Sequence, residues 1–265
     1  MIIFKREWKT NLKSLLIWSA SVTAVILLLL LIYPQMAEQQ QDISELLKAY
    51  PEGLQQVFGM DQLDMSTLLG FYGIEVFMML TLLGSIYASI FASNILSKEE
   101  NDHTAEFLLA KPVTRRQIVT EKLLAVLCNV VILNIVATVS SLIGFQFASS
   151  KMPMDTFWIF VVGALLLHLT FAAISFFLSS FIRKSRKILS VSLAIVILSY
   201  FLSIAVGLSD SLEALKFFTP FEYVKATEIA TTNQLDPLYL LLMGLIMVVS
   251  ISLAYFIYHK KDMAV

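Results

Sequence analysis

Six long apolar stretches, separated by short polar ones, set the plan of this chain. They run from about Leu15 to Tyr33, Leu68 to Leu96, Leu123 to Phe147, Thr156 to Phe181, Ile188 to Val206 and Pro237 to Tyr258. Each is long enough, as a helix, to cross roughly 30 Å of hydrocarbon. The second is long enough to tilt or to project beyond the bilayer. Ahead of the first, Ile2, Ile3, Phe4, Trp8 and Leu12 stand against Lys5, Arg6, Lys9 and Lys13. That pattern predicts an amphipathic helix over residues 1–14, lying in the plane of anionic headgroups. The first span is then expected to end at Tyr33-Pro34. The expected fold is an all-α polytopic membrane protein: one domain over residues 1–265, an N-terminal interfacial helix and six transmembrane helices.

The polar connections differ in character. The most strongly charged is 97–122, SKEENDHTAEFLLAKPVTRRQIVTEK. Ser97 with Glu100 and Thr114 with Gln117 have capping-box spacing, so two helix starts are written into it. Pro112 breaks the chain between them and biases Lys111 away from helical geometry. The product is a short helix over about Asp102 to Ala110, then a second helix from Thr114. The first carries Phe107, Leu108 and Leu109 among acids. This apolar knob suits a partner's groove or a cytoplasmic hairpin packed on its own membrane domain, and composition alone leaves both open. The segments 34–67 and 207–236 are acidic, with short helical pieces expected over 43–50 and 51–58.

Composition then narrows the class. With 58% hydrophobic and 15% charged residues, an ordinary soluble domain is excluded. The single cysteine, Cys128, excludes an intrachain disulfide and a cysteine metal cluster. No signal-peptide cleavage pattern follows the first apolar run. Fifteen of the nineteen Lys and Arg fall in the termini and in 97–122 and 182–187. That bias predicts cytoplasmic N and C termini and places 34–67 and 207–236 outside.

Several polar residues lie within the spans. Glu75 is costly in hydrocarbon unless protonated, paired or wetted, so it is either functional or close enough to the interface to reach headgroup water. Thr81, Ser85, Ser89 and Ser93 repeat at i, i+4, a stripe that suits close helix packing more often than a hydrated path. His168 is expected to be neutral and hydrogen-bonded across a helix interface, and Asn94, Asn129 and Asn134 read the same way. The aromatic segment 217–229 around Pro220 suggests an interfacial or partly re-entrant element. There is no G-x-x-x-x-G-K-[ST], H-E-x-x-H or G-x-S-x-G, so an energised transporter would have to borrow its engine through a cytoplasmic contact.

The central loop, E-x3-T-x-E-x-LL-x-K-P-V-x-R-x-x-I-x3-K, carried by Glu100, Thr104, Glu106, Leu108, Leu109, Lys111, Pro112, Val113, Arg115, Ile118 and Lys122, resembles that of the ABC-2 type permeases of bacterial ABC exporters. Thr219-Pro220-Phe221-Glu222-Tyr223 is similar to a segment that members often carry before their last span. His103 stands where many members have Gly. The resemblance implies a multi-pass protein of the bacterial plasma membrane that binds no cofactor, metal or nucleic acid itself. ATP and Mg would sit on a separate ABC ATPase subunit, and a second permease would complete the path as a homodimer or heterodimer in contact with membrane lipid. It implies that Glu100, Thr104, Glu106, Phe107, Leu108, Leu109, Pro112 and Arg115 couple to the ATPase. Glu75, Thr81, Ser85, Ser89, Ser93, Ser192, Ser199 and Ser203 become path candidates. Members export lipids, polysaccharides, drugs and peptides, including antimicrobial and amphipathic ones. The alternative is a non-transporting scaffold or sensor whose loop recruits a soluble partner.

Overall fold

The structure, a computed structural model, describes residues 1–39, 55, 59–60, 62–101, 104, 113–148, 150–182 and 185–261. Apart from Gln55 and Thr104, the pieces expected over 43–50 and 51–58, the short helix over 102–110 and the Phe107–Leu109 knob lie outside them. The described residues hold six helices long and apolar enough to cross a membrane. In chain order the helices are α1 (Ile2–Glu38), α2 (Leu68–Asn94), the short α3 (Lys98–Asn101), α4 (Arg115–Gly144), α5 (Met154–Phe181), α6 (Ser185–Leu208), α7 (Ala226–Thr232) and α8 (Pro237–Lys260). Between α6 and α7 the chain forms two 3-10 segments, Asp210–Phe218 and Glu222–Val224.

Helix α2 is the central element, packed by α5 on one side and α6 on another, while α1 lies along α4 and α8 along α5. Small residues set these approaches. A Cβ at Gly84 would fall 2.2 Å from the His168 ring of α5, and one at Gly144 would fall 2.3 Å from Leu30 of α1. Without a driving force between helices in lipid, close van der Waals packing of this kind is what holds spans together. Leu16, Leu28, Leu198, Phe201, Leu241, Leu245 and Val248 are left exposed on α1, α6 and α8, as suits surfaces solvated by acyl chains.

Two buried clusters divide the bundle by depth. One, around Ile3, Phe91, Ile118, Phe176 and Tyr258, lies at the face that carries the start of α1 and the end of α8. The larger contains Tyr72, Phe77, Phe157, Phe160, Phe221 and Tyr239 and reaches the opposite face. We call these the termini face and the far face.

Three local expectations are corrected. The amphipathic stretch 1–14 is not a separate in-plane helix but the first turns of α1. No Gly or Pro interrupts it, and its apolar side docks on protein: Ile3 and Glu7 are buried, and the Phe4 backbone N–H donates to Glu121 of α4 at 3.0 Å. Nor does Pro34 end that helix, which continues to Glu38. A proline removes one intrahelical donor and strains one turn. Tyr33 anchors this turn by donating to the Ser66 carbonyl at 2.8 Å and pairing with Ser150 at 2.6 Å. The Ser97–Glu100 capping box does not form, since the buried Ser97 hydroxyl has no hydrogen-bond partner among the described residues and Glu100 is engaged elsewhere.

The second capping box forms as the spacing predicts. The Thr114 hydroxyl accepts from the Gln117 backbone at 3.2 Å, and the Gln117 side chain accepts from the Thr114 backbone at 2.9 Å. Helix α4 then runs without a break from the end of the central loop to the far face. Its pattern gave no such warning in α2, where Tyr72–Phe77 winds as a π-helix that holds Glu75.

Candidate functional site

Both ends of the central loop are tied down at the termini face by buried charges. Glu99 and Lys122 form an ion pair in which Lys122 is fully buried and Glu99 nearly so. The same ammonium donates to the Ile95 carbonyl at the end of α2. At the next residue of α3, Lys261 donates to Glu100 at 2.6 Å, with both side chains more than nine-tenths buried. Arg115 opens α4 and turns its guanidinium onto the carbonyls of His259 at 3.0 Å and Lys261 at 2.6 Å. A helix C-terminus leaves its last carbonyls without intrahelical donors, and a cation there satisfies them and the helix dipole. The Thr104 backbone closes the arrangement by donating to the Glu99 carbonyl at 2.8 Å.

Desolvated charges persist only when paired and hydrogen-bonded. This network pairs each buried charge, although Glu100 Oε1 has no hydrogen-bond partner among the described residues, and it joins α2, α3, α4 and the last turn of α8. Asn101 and Val113, the described residues on either side of 102–112, are thus held next to one braced point. Of the proposed coupling residues, Glu100, Thr104 and Arg115 sit in this brace and make their contacts within the chain. Glu106, Phe107, Leu108, Leu109 and Pro112 lie outside the described residues. The Glu99 and Lys261 roles were missed by sequence reasoning. The signal for Glu99 was its place beside Glu100 at a helix start, and Lys261 was read only as a topological marker.

At the far face, the 217–229 segment folds back into the bundle. Phe221 packs between Phe171 of α5 and Tyr200 of α6, and Tyr223 stacks on Tyr239 of α8 with ring centroids 4.9 Å apart. Thr219 is fixed to α6 by donating to the Ser199 carbonyl at 2.8 Å, and its hydroxyl accepts from the Ser199 hydroxyl at 3.1 Å. Ser203 donates to Glu222 at 2.5 Å, and Lys225 stands 3.8 Å from the same carboxylate. Burial pushes the Tyr223 hydroxyl above its ordinary pKa, so it stays neutral and donates to the Phe217 carbonyl.

Under this segment lies a cavity of about 100 Å³ between α2 and α6, lined by Phe77, Thr81, Tyr200, Ser203, Phe221 and Glu222 among others. Of the path candidates, it brings together only Thr81 and Ser203. Ser85, Ser89 and Ser93 are wholly buried along α2, and Ser192 and Ser199 are buried on α6. The stripe is thus enclosed within the chain, as a packing seam would be. Glu75 is half-buried in the π-helical turn. His168 is fully buried, with Nδ1 3.1 Å from the Asn134 side-chain oxygen. Because the Asn134 amide donates to the Val130 carbonyl, its oxygen is free to accept from the ring, which matches the expected hydrogen bond across a helix interface.

The family model described as ABC-2 family transporter protein matches residues 1–263 of the chain. No curated protein gives a match.

Proposed function

The chain belongs to the ABC-2 family of transporter proteins and is a multi-pass permease component of an ABC transporter in the cell membrane, and from that premise we propose that it exports an amphipathic cargo by coupling to a separate ABC ATPase through residues 102–112. On this reading the termini face is cytoplasmic, as its excess of Lys and Arg favours. The far-face cavity is the closed outer end of the path. ATP and Mg sit on the ATPase, and a second permease supplies the other wall. An amphipathic peptide, lipid or drug would meet an aromatic lining interrupted by Ser203, Glu222 and Lys225 once this end of the path opens beyond its present volume of about 100 Å³.

The observation that carries the proposal is the braced loop. Force applied to a floppy hairpin would be lost in local motion. Here both roots of the loop are fixed by desolvated ion pairs to α2, α4 and α8, and the Thr114 cap locks α4 at its first turn. A push on the loop becomes a displacement of three spans, one of which, α2, lines the far-face cavity.

The test is affinity purification of the tagged chain in mild detergent, with identification of co-purifying proteins. An ABC ATPase should accompany the natural chain and be lost from Phe107→Glu/Leu108→Glu, which should remain folded and inserted. A chain that elutes without an ATPase, or a double variant that retains it, would refute coupling through this loop.

A further inference from the structure

A second cavity, of about 350 Å³, lies between α1 and α2 at the termini face, lined by Glu7, Asn11, Tyr87, Phe91, Asn94 and Lys98 among others. Its chemistry is lopsided. Glu7 is 1% exposed, yet its Oε1 has no hydrogen-bond partner among the described residues. Its Oε2 receives only a 3.3 Å bond from Asn11 and stands 3.6 Å from the Lys98 ammonium. The buried side-chain oxygen of Asn94 is likewise unpartnered. Both residues, one of them a carboxylate, line a single cavity. Leaving a buried acceptor unsatisfied is costly, and more so when it is charged, so the site suits a group that donates several N–H bonds and adds to the one positive charge that Lys98 brings to 3.6 Å of the carboxylate.

The surroundings say where that group would come from. Tyr87 and Phe91 wall the cavity on the membrane-embedded part of α2, while Asn94 and Lys98 mark its polar end. Lys9 and Lys13 on the same helix as Glu7 are exposed, at the level where phospholipid headgroups lie. Lys98, partly exposed at the rim, is placed to meet an anion beside the cation.

We propose that this cavity binds the headgroup of a phospholipid bearing a primary ammonium, of the phosphatidylethanolamine type. The ammonium donates to Glu7 and Asn94, the phosphate meets Lys98, and the glycerol and chains follow Tyr87 and Phe91. A trimethylated ammonium carries the same charge but has no N–H to donate, so the site distinguishes the two lipid classes. The inference needs only that the chain spans a membrane, and it stands apart from the direction and cargo of transport.

The test is retention of palmitoyl-oleoyl phosphatidylethanolamine against the phosphatidylcholine with the same chains, measured by native mass spectrometry of the purified chain in mixed micelles. The ethanolamine lipid should be preferred on the order of tenfold, the worth of a charge-assisted hydrogen bond in a buried site. Glu7→Gln should bring the preference to about one, and Asn94→Leu should reduce it, carrying the test if the first variant fails to fold. Soluble O-phosphoethanolamine at the same concentration should not be retained, because it lacks the part that meets Tyr87 and Phe91. Equal retention of both lipids, as for a cavity holding water alone, would overturn the proposal. So would a preference that survives Glu7→Gln, or binding of the soluble compound as tight as that of the lipid.

Discussion

Replacing Lys122 by methionine should be among the most damaging single changes in the chain. Methionine matches the length of the lysine stem and keeps its packing, so the effect isolates the charge. The Glu99 carboxylate, 5% exposed, would be left buried without its ammonium, which costs about 3–5 kcal/mol. The Ile95 carbonyl would also lose its donor, adding about 1 kcal/mol. The sum is about 4–6 kcal/mol, comparable to much of the stability of a typical domain. The double variant Lys122→Met/Glu99→Leu removes both charges and retains only the carbonyl deficit, so it should lie within about 2 kcal/mol of the natural chain. The assay is equilibrium unfolding in mixed micelles, with the Glu99→Leu variant completing a double-mutant cycle. A Lys122→Met variant within about 1 kcal/mol of the natural chain, or a double variant no better than the single one, would show that this pair is solvated and braces nothing.

Two further changes probe other joints. Arg115→Ala removes the donors that cap the last carbonyls of α8, and should speed amide hydrogen exchange at residues 255–260 by about tenfold while leaving the middle of α8 unchanged. Gly84→Val drives a side chain into the His168 ring, where a Cβ alone would stand at 2.2 Å. It should cost about 1–3 kcal/mol or more through overpacking, read as a lowered unfolding midpoint.

The six spans were legible because each is a long apolar run bounded by polar residues, and helix length in a bilayer leaves little choice. The start of α4 was legible to the residue, since Thr114 and Gln117 satisfy each other's backbone whatever the tertiary context. The continuity of α1 was not. Its first turns have an amphipathic pattern that a membrane surface and a protein groove satisfy equally, and only the buried contacts of Ile3, Phe4 and Glu7 decide between them. The serine stripe was ambiguous for a similar reason, because small hydroxyl residues serve both close packing and hydrated paths. The brace was half legible. Glu100 and Arg115 stood out in the loop pattern, but their partner lies more than 140 residues away at the end of α8, and no local spacing encodes such a pairing. The π-helical turn at Glu75 left no mark in the pattern.

The central claim is that the braced loop transmits ATP turnover to the far face. The most direct measurement places an environment-sensitive fluorophore on Thr231→Cys of α7, exposed at the far face, in a chain whose lone cysteine is removed by Cys128→Ser. Adding ATP and Mg to the purified complex with its ATPase should shift the emission. The shift should vanish in Glu100→Gln/Arg115→Ala/Lys261→Met, which removes the side-chain ties of both loop roots to α8 while leaving Phe107 and Leu108 to bind the ATPase. No ATP-dependent shift in the natural complex, or an undiminished shift in the untied variant, would contradict the account.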